Sequence, residues 1–88
     1  TNAYDPDRVG GGSSGGAAVA LAMRMLPVAD GGDMGGSLRN PAAFNNVFGF
    51  RPSQGRVPAD TLDPFYGQLA VEGPMGRSIE DVAMLLSV

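Results

Sequence analysis

Two serine clusters set in glycine, one on each side of an unbroken apolar segment, constrain this chain more than any other feature. The first reads GGGSSGG (residues 10–16) and the second DMGGSLRNP (residues 33–41). Glycine lets a loop enter left-handed backbone conformations and brings main chain close to its neighbours. The segment between them, AAVALAMRMLP, is built from strong helix formers, with Arg24 as its only charge. An element apolar on all sides predicts a buried helix, here over 17–25, capped by Ser13 or Ser14 and stopped by Pro27. A short strand over 26–29 then delivers the chain into the second cluster.

Further along, Asn40 and Pro41 read as the cap and first residue of a short helix over 41–46. VFGF, over 47–50, reads as a short strand bounded by Pro52. Residues 53–77 contain Gly55, Pro58, Pro64, Gly67, Gly73, Pro74 and Gly76, which predicts a long irregular connection wrapped over the core. Ser78, with Asp81 three residues on, starts a last helix whose apolar positions Val82, Leu85 and Leu86 share one face. Met23, Met25 and Met34 suit a core or an acyl pocket, and core is the commoner fate of methionine beside a buried helix. Phe44, Phe48 and Phe50 are read as core. Helices alternating with short buried strands give an α/β class.

The 88 residues include 14 glycines and 7 prolines, so they supply at most one small domain with much of its surface exposed. SIEDVAMLLSV ends while its apolar pattern is still running, and residues 1–88 are therefore expected to be a partial domain of a larger protein. The apolar helix would then leave a patch that invites self-association into a homo-oligomer. A net charge of −3 gives no reason to expect nucleic acid or an anionic membrane as partner. No apolar run reaches a membrane span, and a cytoplasmic setting is expected. With neither cysteine nor histidine, neither a conventional metal site nor another cofactor is expected.

The same composition sets a chemical problem. A serine nucleophile needs a base, and the chain has no histidine and no lysine, since all six basic residues are arginines. Arginine stays protonated at any ordinary pH and cannot serve. GGGSSGG alone fits several readings. As a flexible linker it would not need to run straight into an apolar helix. A phosphate-cradling loop would need a lysine after the glycines. The G-x-S-x-G pattern of Gly11 to Gly15 would need a later histidine. Taken together, the clusters offer a fourth reading. Ser13 and Ser37 are separated by a helix of roughly 15 Å and a strand that returns about that distance. The two loops can therefore meet at one end of a layer, with Gly35-Gly36 presenting N–H groups as an oxyanion hole requires.

Over residues 5–58 this pattern resembles the signature region of the amidase signature family of serine hydrolases, and GPMGRSIEDVAMLL (residues 73–86) resembles the segment that follows it. GGSSGG, a helix and then D-x-GGS-x-R-x-PA at this spacing are far more specific than either cluster alone. The resemblance implies a fragment of an α/β/α layered core with a mixed sheet, and hydrolysis of a small-molecule amide by a Ser–Ser–Lys triad. Ser37 would be the nucleophile and Ser13 the bridging serine, held by a cis peptide bond after Gly12 with its hydroxyl in reach of that of Ser37. Main-chain N–H groups of Met34, Gly35, Gly36 and Ser37 would hold the oxyanion. Ser14 would orient the lysine, which in this family lies before the segment. Asp33 and Arg39 would form an ion pair bracing the loop.

Three positions depart from the family pattern. Gly10 stands where proline is common and Gly32 where serine or threonine is common, and both are expected to loosen their loops. Asn45 replaces a frequent cysteine, read as a packing change that speaks against an amidotransferase A-type subunit. That subunit class, which shares the triad, and a non-catalytic scaffold that keeps the loops for packing remain the alternatives to an amidase.

Overall fold

The computed structural model describes residues 1–59 and 66–88. Its elements run α1 (Gly15–Ala22), β1 (Val28–Asp33), α2 (Arg39–Phe44), β2 (Phe48–Gly49), a 3-10 turn (Tyr66–Gln68), β3 (Val71–Gly76) and α3 (Ile79–Ser87). The three strands form one sheet in the order β1-β3-β2, antiparallel throughout. Because side chains alternate across a strand, β3 presents Val71, Gly73 and Met75 to one face and Glu72, Pro74 and Gly76 to the other. Met75 packs with Ala18 and Leu21 of α1, Ala42 of α2, and Leu38, all buried. On the opposite face Gly76 lies against Asp81 and Val82 of α3, where a Cβ would come within 2.9 Å of that of Asp81. Helices thus cover both faces, giving the α/β/α layering.

Several local expectations shift. Helix α1 begins two residues earlier than its alanine run suggests and ends at Ala22. Arg24 adopts φ 60°, and the N–H groups of Arg24 and Met25 bond back to the carbonyls of Leu21 and Ala20 at 3.0 and 2.8 Å. That is a Schellman stop with arginine where glycine is usual. Arg77 reinforces it by donating to the Leu21 carbonyl at 3.2 Å. Ser14 holds the N-cap position but its side chain makes no capping bond. Helix α2 starts at Arg39 with Leu38 as its cap, so Asn40 lies inside the helix. β1 runs into the second glycine cluster instead of stopping at residue 29. Ser78 does cap α3, accepting the Asp81 N–H at 3.1 Å.

The largest correction falls on residues 53–77. The stretch VEGPMG, read as irregular, forms the central strand. Pro74 has no N–H to give the ladder, which ordinarily confines proline to edges, yet its carbonyl accepts the Phe50 N–H at 3.0 Å. Within this predicted connection, residues 60–65 lie outside the described residues. The aromatic and methionine assignments also change. Met23, Met25, Met34, Phe44, Phe48 and Phe50 are all exposed within these 88 residues, and the core that the described helices and strands build does not include them. Among the described residues no helix is long and apolar enough to cross a membrane.

Leu21 is fully buried in that core. Leu21→Ala should cost about 2–5 kcal/mol, a large share of the stability of a chain this short. Urea unfolding followed by circular dichroism should show a lower midpoint or loss of the cooperative transition.

Candidate active site

The two glycine-embedded loops meet. The Ser14 N–H donates to the Ser37 carbonyl at 3.1 Å, and the Gly12–Ser13 peptide bond is cis. This direct link runs main chain to main chain, not hydroxyl to hydroxyl. Ser13 is exposed on a depression of about 360 Å³ shared with Gly11, Gly16, Val19 and Met25, and Ser37 and Ser14 are half-buried. Ser14 lies over β1 at Gly31, where a Cβ would approach its Oγ to 2.6 Å. Only glycine leaves room there. A larger cleft of about 500 Å³ beside α3, with Asp30, Arg56 and Glu72 in its wall, touches neither serine.

Asp33 organises the loop that carries Ser37. It is the last residue of β1 and 1% exposed. Its Oδ1 accepts the Gly36 N–H at 2.8 Å. Arg39 grips both carboxylate oxygens, Nε to Oδ2 at 2.8 Å and Nη2 to Oδ1 at 3.1 Å. The predicted Asp33–Arg39 pair is therefore present in two-pronged form. Gly36 is at φ 111°, a left-handed conformation that favours glycine. Its N–H is already given to Asp33, which removes it from the four N–H groups proposed for an oxyanion. Met34 and Gly35 are exposed.

Sequence reasoning missed one residue, Arg51, and misread another, Asn45. Arg51, just past β2, donates through Nη1 to the Asp33 carbonyl and to Asp33 Oδ1 at 3.1 Å. Its Nη2 donates to the Leu69 carbonyl at 3.0 Å. The available signal was an arginine directly after a short apolar strand, but nothing in its spacing ties it to residue 33. Asn45 is fully buried and is more than a packing change. Its Nδ2 donates to the carbonyls of Gly10 at 2.8 Å and Pro41 at 2.9 Å, and its Oδ1 accepts the Ala3 N–H at 3.0 Å. It thereby fastens the first serine loop to α2. Gly10 and Gly32 are both closely surrounded. A Cβ at Gly10 would lie 3.0 Å from Val19 Cγ2, and one at Gly32 3.0 Å from Glu72 Oε1.

The electrostatics follow from these contacts. The hydrogen bonds from Arg39 hold the Asp33 carboxyl far below the ordinary carboxylate range, against the opposing effect of burial, with help from the Gly36 and Arg39 N–H groups. The same contact raises Arg39. Among the described residues no three histidine, cysteine or acidic side chains stand together as metal ligands.

The model of the family described as Amidase matches residues 1–88. The chain belongs to the amidase signature family. It is 52% identical over 85 residues to the A-type subunit of the glutamyl-tRNA(Gln) amidotransferase of Thermus thermophilus, covering 97% of this chain and 18% of that protein. Among solved structures it matches a bacterial aryl acylamidase of the amidase signature enzymes at 45% identity and a TM-score of 0.91, over 99% of this chain and 18% of the other. The peptide amidase of Stenotrophomonas maltophilia matches at 40% identity and a TM-score of 0.90, over 98% of this chain and 18% of that enzyme. The chain thus spans under a fifth of each of these three proteins. The Thermus relative carries the name that the Asn45 departure spoke against, so that departure does not decide between the two classes.

A pH test follows from Asp33. Its folded pKa is depressed, so the stability it contributes is fully present above the unfolded value of about 3.9. That contribution is lost as pH falls from there through the folded value. Unfolding midpoints measured from pH 7 down into strong acid should drop across that window, and Asp33→Asn should both lower the neutral-pH midpoint and flatten the drop.

Proposed function

We propose that residues 1–88 are a partial domain of an amide-bond hydrolase that works through a Ser–Ser–Lys triad, its lysine supplied from outside these residues. The observation that carries this reading is the junction of the two serine loops, Ser14 N–H to Ser37 carbonyl at 3.1 Å, beside an Asp33 that locks the second loop. Family membership supports it.

In this reading Ser37 Oγ attacks the carbonyl carbon of a small-molecule amide while its proton passes to Ser13, which gives its own to the neutral lysine. The N–H groups of Met34, Gly35 and Ser37 hold the negative oxygen that forms. Collapse breaks the C–N bond, and the relay runs backwards to protonate the departing amine. Water then attacks the acyl-Ser37 ester by the same route and restores the free hydroxyl. Ser14, fixed between its N–H bond and the Gly31 surface, orients the lysine. Neither a metal nor another cofactor has a step in this scheme.

The 52% identity to an amidotransferase A-type subunit favours a second reading, in which the same serines release ammonia from an amide donor for a partner protein. Co-purification with partner proteins, and activity on glutamine that depends on them, would support the amidotransferase. Turnover of aryl amides by the protein alone would support the amidase.

In the intact protein Ser37→Ala should abolish hydrolysis, and Ser13→Ala should lower kcat by roughly a hundredfold or more while leaving the fold intact. The 88 residues alone, without lysine or histidine, should show no turnover of aryl amides or esters. Turnover by this chain that vanishes on Ser37→Ala would show that no lysine is needed.

A further inference from the structure

We infer that Arg51 is a positioning residue, registering the nucleophile loop against the sheet; this rests on the reading of Ser37 as nucleophile. Two arginines hold Asp33, and they are not equivalent. Arg39 comes from the first turn of α2, two residues after Ser37, so it moves with the loop it braces. Arg51 comes from beyond β2, outside the loop. Its guanidinium reaches the Asp33 main-chain carbonyl, Asp33 Oδ1 at 3.1 Å and the Leu69 carbonyl at 3.0 Å.

Those contacts tie three segments at one point: the end of β1, the approach to β3 and the exit from β2. They fix the carbonyl from which the loop departs and the oxygen that holds the Gly36 N–H at 2.8 Å. The direction of the neighbouring N–H groups of Gly35 and Ser37 depends on both. Pre-aimed donors stabilise an oxyanion because they need not reorient during reaction, and small displacements of such groups are costly. The planar fork is suited to several acceptors at fixed angles, whereas a lysine ammonium is a single point charge.

Asp33 keeps Arg39 when Arg51 is removed, so its charge is not left buried and unpaired. The experiment uses the intact protein and a fluorophosphonate: the activated serine oxygen bonds to phosphorus, the P–F bond breaks to release fluoride, and the serine proton passes to the relay, leaving a phosphonyl adduct in the same oxyanion contacts. The extent of labelling counts competent sites, and the rate constant reports their geometry. Labelling of the wild type should fall on Ser37 and disappear in Ser37→Ala. Arg51→Ala should keep the extent of labelling but slow it about tenfold or more, with kcat per labelled site falling in parallel and KM little changed. Arg51→Lys should recover only part of the rate.

A role confined to stability gives a different result, with a lower thermal midpoint and fewer competent sites but a wild-type rate at each; that outcome overturns the inference. Should Arg51→Ala fail to fold, Arg51→Lys carries the test, and a wild-type labelling rate in that variant overturns it equally. A wild type that is never labelled at Ser37 rejects the underlying assignment of the nucleophile instead.

Discussion

The carboxylate of Asp33 is the contact on which the arrangement of this chain depends. A buried, charged side chain is tolerated only when its oxygens are satisfied. Here Gly36, Arg39 and Arg51 do so together. Each partner lies on a different piece of backbone: the Ser37 loop, the start of α2 and the exit from β2. Satisfying one charge therefore fixes three segments relative to the end of β1. Such a pair contributes less to net stability than to geometry.

The sheet supplies the frame. Its central strand carries Met75 toward α1 and α2 and Gly76 toward α3, so the helices pack on both sides of a very short sheet. Glycine at position 31 lets Ser14 settle on β1, and Asn45 fastens the first loop to α2 from below. The two serine loops consequently share the α1/α2 face. The first is held by main-chain and amide hydrogen bonds, which are directional and need no charge, and the second also by the charged Asp33.

The meeting of the two loops and the Asp33–Arg39 pair were legible in the sequence, because the glycine clusters and the D-x-GGS-x-R spacing are local patterns. The capping of α3 by Ser78 was legible for the same reason. Arg51 and Asn45 were not, because each acts on groups far along the chain. β3 was missed because Gly-Pro-Met-Gly carries every local sign of a turn. It is a strand because neighbours on both sides supply the hydrogen bonds and the packing that its own residues do not favour.

By itself, then, the sequence determined the chemical inventory: two serine clusters set in glycine, no histidine or lysine, an apolar helix between them and membership in the amidase signature family. It determined these because residue type and short-range spacing limit what a backbone can do locally. Tertiary structure alone decided which strand lies at the centre, that the Gly36 N–H is given to Asp33 and that Arg51 reaches the same carboxylate. The first and last of these are matters of who meets whom across tens of residues. A buried carboxylate selects its partners by position in space, and no local pattern records that choice.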